Sequence, residues 1–195
     1  MENTLIACNG IEIYQSDIDI LCDEYISMLS SEEAIHKTYG FTGLLEYLYK
    51  RCICNIVTKN GRGYDYHVLD NVFYNVYIPL CAKYSMPPSI IQFCTLVKVD
   101  SNYLSSVRRG MYDNGSNVSQ GNKETVQKWL DTCEAGLLSR AVGDNSIGAI
   151  FALKANYGYR EASTVMVEQV TQVHDTAEQI AARHHGAMLP ERPDL

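Results

Sequence analysis

Between Asp65 and Tyr84 the strongest apolar positions are 69, 72, 73, 76, 77 and 80, three and four residues apart. That spacing collects them on one face of a helix, whereas in a strand it would scatter them over both faces. The same period recurs upstream, where Ile18, Leu21, Cys22, Tyr25, Ile26 and Leu29 form a stripe after a Ser16 cap with Asp19 three residues on. Ser31-Glu32-Glu33 begins a short helix that breaks near Gly40, and LLEYLYKRCICNIV gives four apolar turns that stop at Lys59-Asn60-Gly61. The helix from Asp65 is halted at Met86-Pro87-Pro88. These periods predict an all-α, multi-helical fold.

Further helices follow the prolines. PSIIQFCTLVKV and DSNYLSSVRRG read as two short amphipathic helices, and MYDNGSNVSQGNK as a loop. Asn122 caps KETVQKWLDTCEAGLLSRAV, and Asn145 or Ser146 caps IGAIFALKANYG, which ends at Gly158. VMVEQVTQVHDTAEQIAARHH is a more polar amphipathic stretch before a tail with Pro190 and Pro193. The organisation expected is 1–84 as an N-terminal helical region, 85–121 as a helix-turn-helix unit with its loop, 122–162 as a helical oligomerisation core, and 163–195 as a C-terminal helix and tail. With 195 residues, 46% hydrophobic and 20% charged, the chain has material for a core and is no disordered coil.

Neither a long apolar run nor the layout of a signal peptide is present, so a cytoplasmic protein with no membrane contact is expected. The seven cysteines sit among apolar neighbours, which fits reduced thiols. Cys52-x-Cys54 lacks a second pair at zinc-binding distance, and His184-His185 does not supply one. No metal or other cofactor is expected. Nor is catalysis: the chain has no GxxxxGK[ST] loop, GxSxG elbow or HExxH motif.

The net charge of −7 argues against a surface that adheres to nucleic acid everywhere, but residues 83–123 carry five bases against two acids. Within that region a helix-turn-helix pattern emerges. Phe93, Val97, Val99, Leu104 and Val107 occupy five inward positions, and Cys94 is the small residue beside Phe93. The turn is Lys98-Val99-Asp100, with Lys98 at a position that favours glycine. Ser101 is expected to cap the second helix, which Gly110 stops.

The outward side of that helix presents Ser101, Asn102, Ser105, Ser106 and Arg109, flanked by Tyr103 and Arg108. With Lys98, these are the candidate DNA-binding residues. Serine and asparagine bond to base edges or phosphates, arginine clasps guanine or phosphate, and the helix N-terminus offers N–H groups to a phosphate. So few cations give weak, salt-sensitive binding unless an oligomer repeats the unit.

Residues TVQKWLDTCEAGLLSRAVGDNSIGAIFALKANYGYREA, over roughly 125–162, resemble the C-terminal part of small terminase subunits and related DNA-packaging proteins of tailed phages and prophages. The most specific phrase runs from Ile150 to Arg160, and 88–110 lends weaker support. The resemblance implies a non-enzymatic subunit that assembles as a homo-oligomeric ring. It would recognise double-stranded phage DNA in the bacterial cytoplasm and recruit or regulate the terminase large subunit for genome packaging. The alternatives are a dimeric helix-turn-helix prophage regulator and a helical adaptor that never meets DNA.

Overall fold

The computed structural model describes residues 4–8, 10–57, 59–60, 63–111, 119–143 and 146–159, and for 59, 60 and 156 the backbone alone. Expectations for 112–118 and for the C-terminal stretch 163–195 lie outside the described residues. The fold is all-α in class, decorated by two antiparallel hairpins. The first pairs β1 (Thr4–Cys8) with β2 (Ile11–Tyr14). The helical reading does not include this hairpin; its signal is the Asn9-Gly10 dipeptide between alternating apolar residues, of which Ile6 and Ile13 are buried.

Helix α1 (Gln15–Ser27) starts one residue before the expected Ser16 cap, where the Asp17 carboxylate accepts the Tyr14 N–H at 2.9 Å. Ile18 and Cys22 face inward from it. Glu32–His36 forms a 3-10 turn, and α2 (Thr38–Arg51) follows. Gly40 is not a break but part of the first turn of α2. A Cβ there would lie 2.0 Å from the Ala34 carbonyl oxygen, so glycine lets α2 approach the preceding turn.

The run that was expected to stay helical to Lys59 ends instead at Arg51. A 3-10 turn over Ile53–Asn55 comes next, and Ile53 and Ile56 are both buried. Their separation of three matches the 3-10 period, which stacks such a pair on one side. Lys59–Asn60 (β3) then pairs with Gly63–Tyr64 (β4), where a glycine stop to the helix was expected.

Asp65 caps the next helix by accepting from the N–H groups of His67 and Val68 at 2.9 and 3.3 Å. The rod comprises α3 (Tyr66–Val72), a π turn (Phe73–Tyr77) and α4 (Ile78–Lys83). Leu69, Val72, Phe73, Val76, Tyr77 and Leu80 are all buried, as their spacing predicts. The π turn falls immediately before Ile78-Pro79. Proline has no N–H to donate, and its ring crowds the carbonyl four residues back, here that of Asn75, so a wider turn relieves the crowding.

Four helices complete the described fold: α5 (Ile90–Val97), α6 (Ser101–Arg108), α7 (Gln120–Gly143) and α8 (Ile147–Tyr157). The expected Asn122 cap lies inside α7, whose first turn is held by Ser119 Oγ accepting the Asn122 N–H at 3.2 Å. Ser146, one of the two expected caps, accepts from Ala149 N–H at 3.4 Å, and α8 ends at Gly158 with φ +73°.

One apolar cluster extends from Ile6 to Cys133, so 1–84, 85–111 and the first half of α7 share a core. Its centre is aromatic. Phe73 meets Phe93 edge-on with ring centres 4.9 Å apart and stacks on Trp129 at 5.7 Å, while Trp129 Nε1 donates to Asp70 Oδ1 at 2.7 Å. A smaller cluster of Ala141, Ala149 and Leu153, flanked by Leu137 and Tyr157, joins α7 to α8.

Candidate nucleic-acid interface

The site is a pair of eight-residue helices held at three points. At the start, Ser89 precedes α5 in an extended conformation, and its backbone is pinned to the Tyr77 hydroxyl. That hydroxyl donates to the Ser89 carbonyl at 2.7 Å and accepts the Ser89 N–H at 2.6 Å. In the middle, Phe93, Cys94, Val97, Val99, Leu104 and Val107 are all buried, the six positions that the sequence pattern selects. Leu96 is buried as well, which the pattern did not select. At the end, Gly110 takes φ +75°. The Gly110 N–H donates to Val107 O at 2.9 Å and the Met111 N–H to Ser106 O at 2.8 Å, the paired bonds of a Schellman stop.

The turn between the helices is short because Lys98 adopts the left-handed conformation, φ +50° and ψ +38°. A side chain there costs about 1–2 kcal/mol relative to an ordinary helical residue. Lys98 Nζ reaches Glu46 Oε1 on α2 at 3.1 Å, so part of its charge is already answered. Asp100, not Ser101, is the cap of α6: its carboxylate accepts the Asn102 N–H at 2.8 Å. Ser101 is instead the first helical residue, and its carbonyl accepts from Ser105 Oγ at 2.9 Å.

Turning by about 100° per residue, α6 divides the candidate residues into three groups. Asn102, Ser105, Arg108 and Arg109 are exposed, and Ser101 and Ser106 are half-buried. Tyr103 turns toward the body of the protein, with its ring edge-on to Tyr64 at 5.5 Å. Ser101, Ser105 and Arg108, together with Leu104, line a cavity of about 300 Å³ whose opposite wall is Val126, Leu130 and Leu137 of α7 and Tyr157 of α8. Asn102, Ser106 and Arg109 lie on the arc turned away from it. Arg109 Nε donates to Ser105 O at 3.3 Å, and Arg108 forms no ion pair with any described residue.

Sequence reasoning therefore finds the two short helices and their inward residues but not the wall opposite half of the outward edge. Nor does it find the Tyr77 latch or the Glu46 partner of Lys98, because both pairings join residues far apart in the chain. Burial pushes the Cys94 thiol up to about 12, so this cysteine serves as packing and is poorly suited to nucleophilic chemistry. Among the described residues no cluster of histidine, cysteine and acidic side chains could hold a metal ion, and no helix is long and apolar enough to cross a membrane. No protein family, curated protein or solved structure matches the chain.

Proposed function

We propose that this chain binds double-stranded DNA through the exposed arc of α6, as a recognition subunit of the small-terminase type. The observation that carries this reading is the two-helix unit itself. Six apolar side chains and a three-residue turn with Lys98 in the left-handed conformation fix α6 so that Asn102, Ser106 and Arg109 face outward, with Lys98 and Arg108 at its edges. Asn102 is suited to a base edge or phosphate, and the two arginines to phosphate or guanine. Of the five bases in 83–123, Lys98, Arg108 and Arg109 lie on or beside this surface.

The partners in this reading are a homo-oligomeric ring and the terminase large subunit. Self-association draws support from α8, where Ile147, Ile150 and Phe151 are exposed at 69%, 37% and 64%. A contiguous exposed apolar stripe marks a surface suited to being covered by another. The phrase from Ile150 to Arg160, which resembles small terminases, includes part of that stripe.

The test is fluorescence anisotropy of a labelled duplex across a salt series. Replacing Arg108 and Arg109 with alanine should weaken binding at every sequence and lower the salt slope by about 2, one per phosphate contact. Unchanged affinity and slope would refute the reading and favour an adaptor. Light scattering separates the two oligomeric forms: a ring supports packaging, and a two-fold dimer with a palindromic site supports a regulator.

A further inference from the structure

The cavity against α6 has the make-up of a ligand site. Its volume, about 300 Å³, lies at the small end of the range of small-molecule pockets. One wall is aliphatic, from Val126, Leu130 and Leu137, with Leu104 beside them. The other carries one full charge, the Arg108 guanidinium, accompanied by the hydroxyls of Ser101 and Ser105. No acidic residue lines the cavity; Glu134 and Asp131 stand outside the lining, close enough to act on the Tyr157 phenol beside Arg108. The Tyr157 phenol, which burial pushes up to about 12, is neutral at pH 7, as an ordinary tyrosine is.

A single guanidinium beside an aliphatic wall is complementary to a singly charged anion with an apolar tail. Arginine matches a carboxylate with two parallel N–H bonds, while a doubly charged phosphate would keep half its charge unanswered. A purely apolar occupant would use the aliphatic wall and leave the exposed guanidinium to water alone. We propose that this cavity binds a medium-chain amphipathic carboxylate, with the carboxylate on Arg108 and the alkyl chain against Leu130 and Leu137. The inference concerns binding to the protein alone and does not depend on DNA.

The test is calorimetric titration of the full chain, without DNA, with octanoate, octan-1-ol and octylamine, which share a tail and differ in charge. Octanoate should bind saturably at one site, octan-1-ol more weakly, and octylamine not at all. Arg108→Gln, a change at an exposed residue, should weaken octanoate by about tenfold or more and bring it level with octan-1-ol. Leu130→Trp should fill the cavity and abolish binding of both, with far-UV circular dichroism confirming the helices. Absence of saturable octanoate binding, equal binding of octylamine, or an Arg108→Gln variant that binds octanoate unchanged would each overturn the proposal. The charge series on the unaltered chain decides the matter even if a variant fails to fold.

Discussion

Replacing Gly136 with alanine should destabilise the protein, although the same change in an unobstructed helix stabilises it. Alanine is favoured over glycine in a helix interior by about 1 kcal/mol. At position 136 of α7, however, a Cβ would lie 2.6 Å from Pro88 Cγ and 2.8 Å from Pro88 Cδ. Carbon atoms pack at about 3.5–4.0 Å, so α7 and Pro88 would have to separate by about 1 Å. Pro88 has little room to yield, because its ring is closed and the next residue has both backbone groups on the Tyr77 hydroxyl. Overpacking of this kind costs about 1–3 kcal/mol. Set against the helix propensity, the net loss is up to about 2 kcal/mol, or about 2–4 °C in Tm for each kcal/mol in a chain of this size. Gly121, in the same helix with nothing within 4 Å of a Cβ, is the internal control. Its alanine variant should be neutral or up to about 1 kcal/mol more stable. Urea unfolding followed by circular dichroism measures both. If Gly136→Ala raises stability as much as Gly121→Ala does, the contact between α7 and Pro88 is not what makes glycine necessary.

Tyr77→Phe keeps the ring in the aromatic core but leaves the Ser89 N–H without its acceptor, and should lower urea-unfolding stability by about 1–3 kcal/mol. Lys98→Gly relieves the left-handed strain, about 1 kcal/mol, and gives up an exposed ion pair worth about 0–1 kcal/mol. The expected result is a protein at least as stable, with weaker DNA binding from the lost charge; denaturation and duplex anisotropy measured in parallel should move apart. At acid pH, the hydrogen bond from Lys83 at 2.9 Å holds the Asp19 carboxyl below its ordinary value. Its contribution is present above the unfolded carboxyl value of about 3.9 and is lost as pH falls through the lower folded value. Both side chains are more than a third exposed, so the contribution is below about 1 kcal/mol. Lys83→Met should therefore remove a small part of the acid-limb slope, as read from urea unfolding between neutral and acid pH.

How much of this was legible in the chain differs from element to element. The rod from Tyr66 to Lys83 was legible as a helix and in its inward face, because six large apolar residues at helical spacing leave a strand no way to bury them together. Its π turn was not, since it depends on how the helix accommodates Pro79. The two-helix unit was legible in its inward residues and in its turn, even to the unusual lysine. Its cap was misplaced by one residue, because Asp100 and Ser101 are both good caps and only the backbone decides between them. The N-terminal hairpin has its signal in Asn9-Gly10, which lies outside the helical periods on which the sequence reading rests. The end of α2 was hidden by an apolar run that continues past Arg51 with the right residues and a different pitch.

What the sequence alone determined is therefore local: which segments coil, and which side of each coil turns inward. Those properties follow from backbone sterics and from the spacing of apolar groups within one turn or two, and both are written in neighbouring residues. Only the tertiary structure decided what stands opposite each outward face. It set Leu130, Leu137 and Tyr157 across from Arg108, gave Lys98 to Glu46, and tied Ser89 to Tyr77. Each of these joins residues a dozen or more apart, and only close packing of the whole chain brings them within reach.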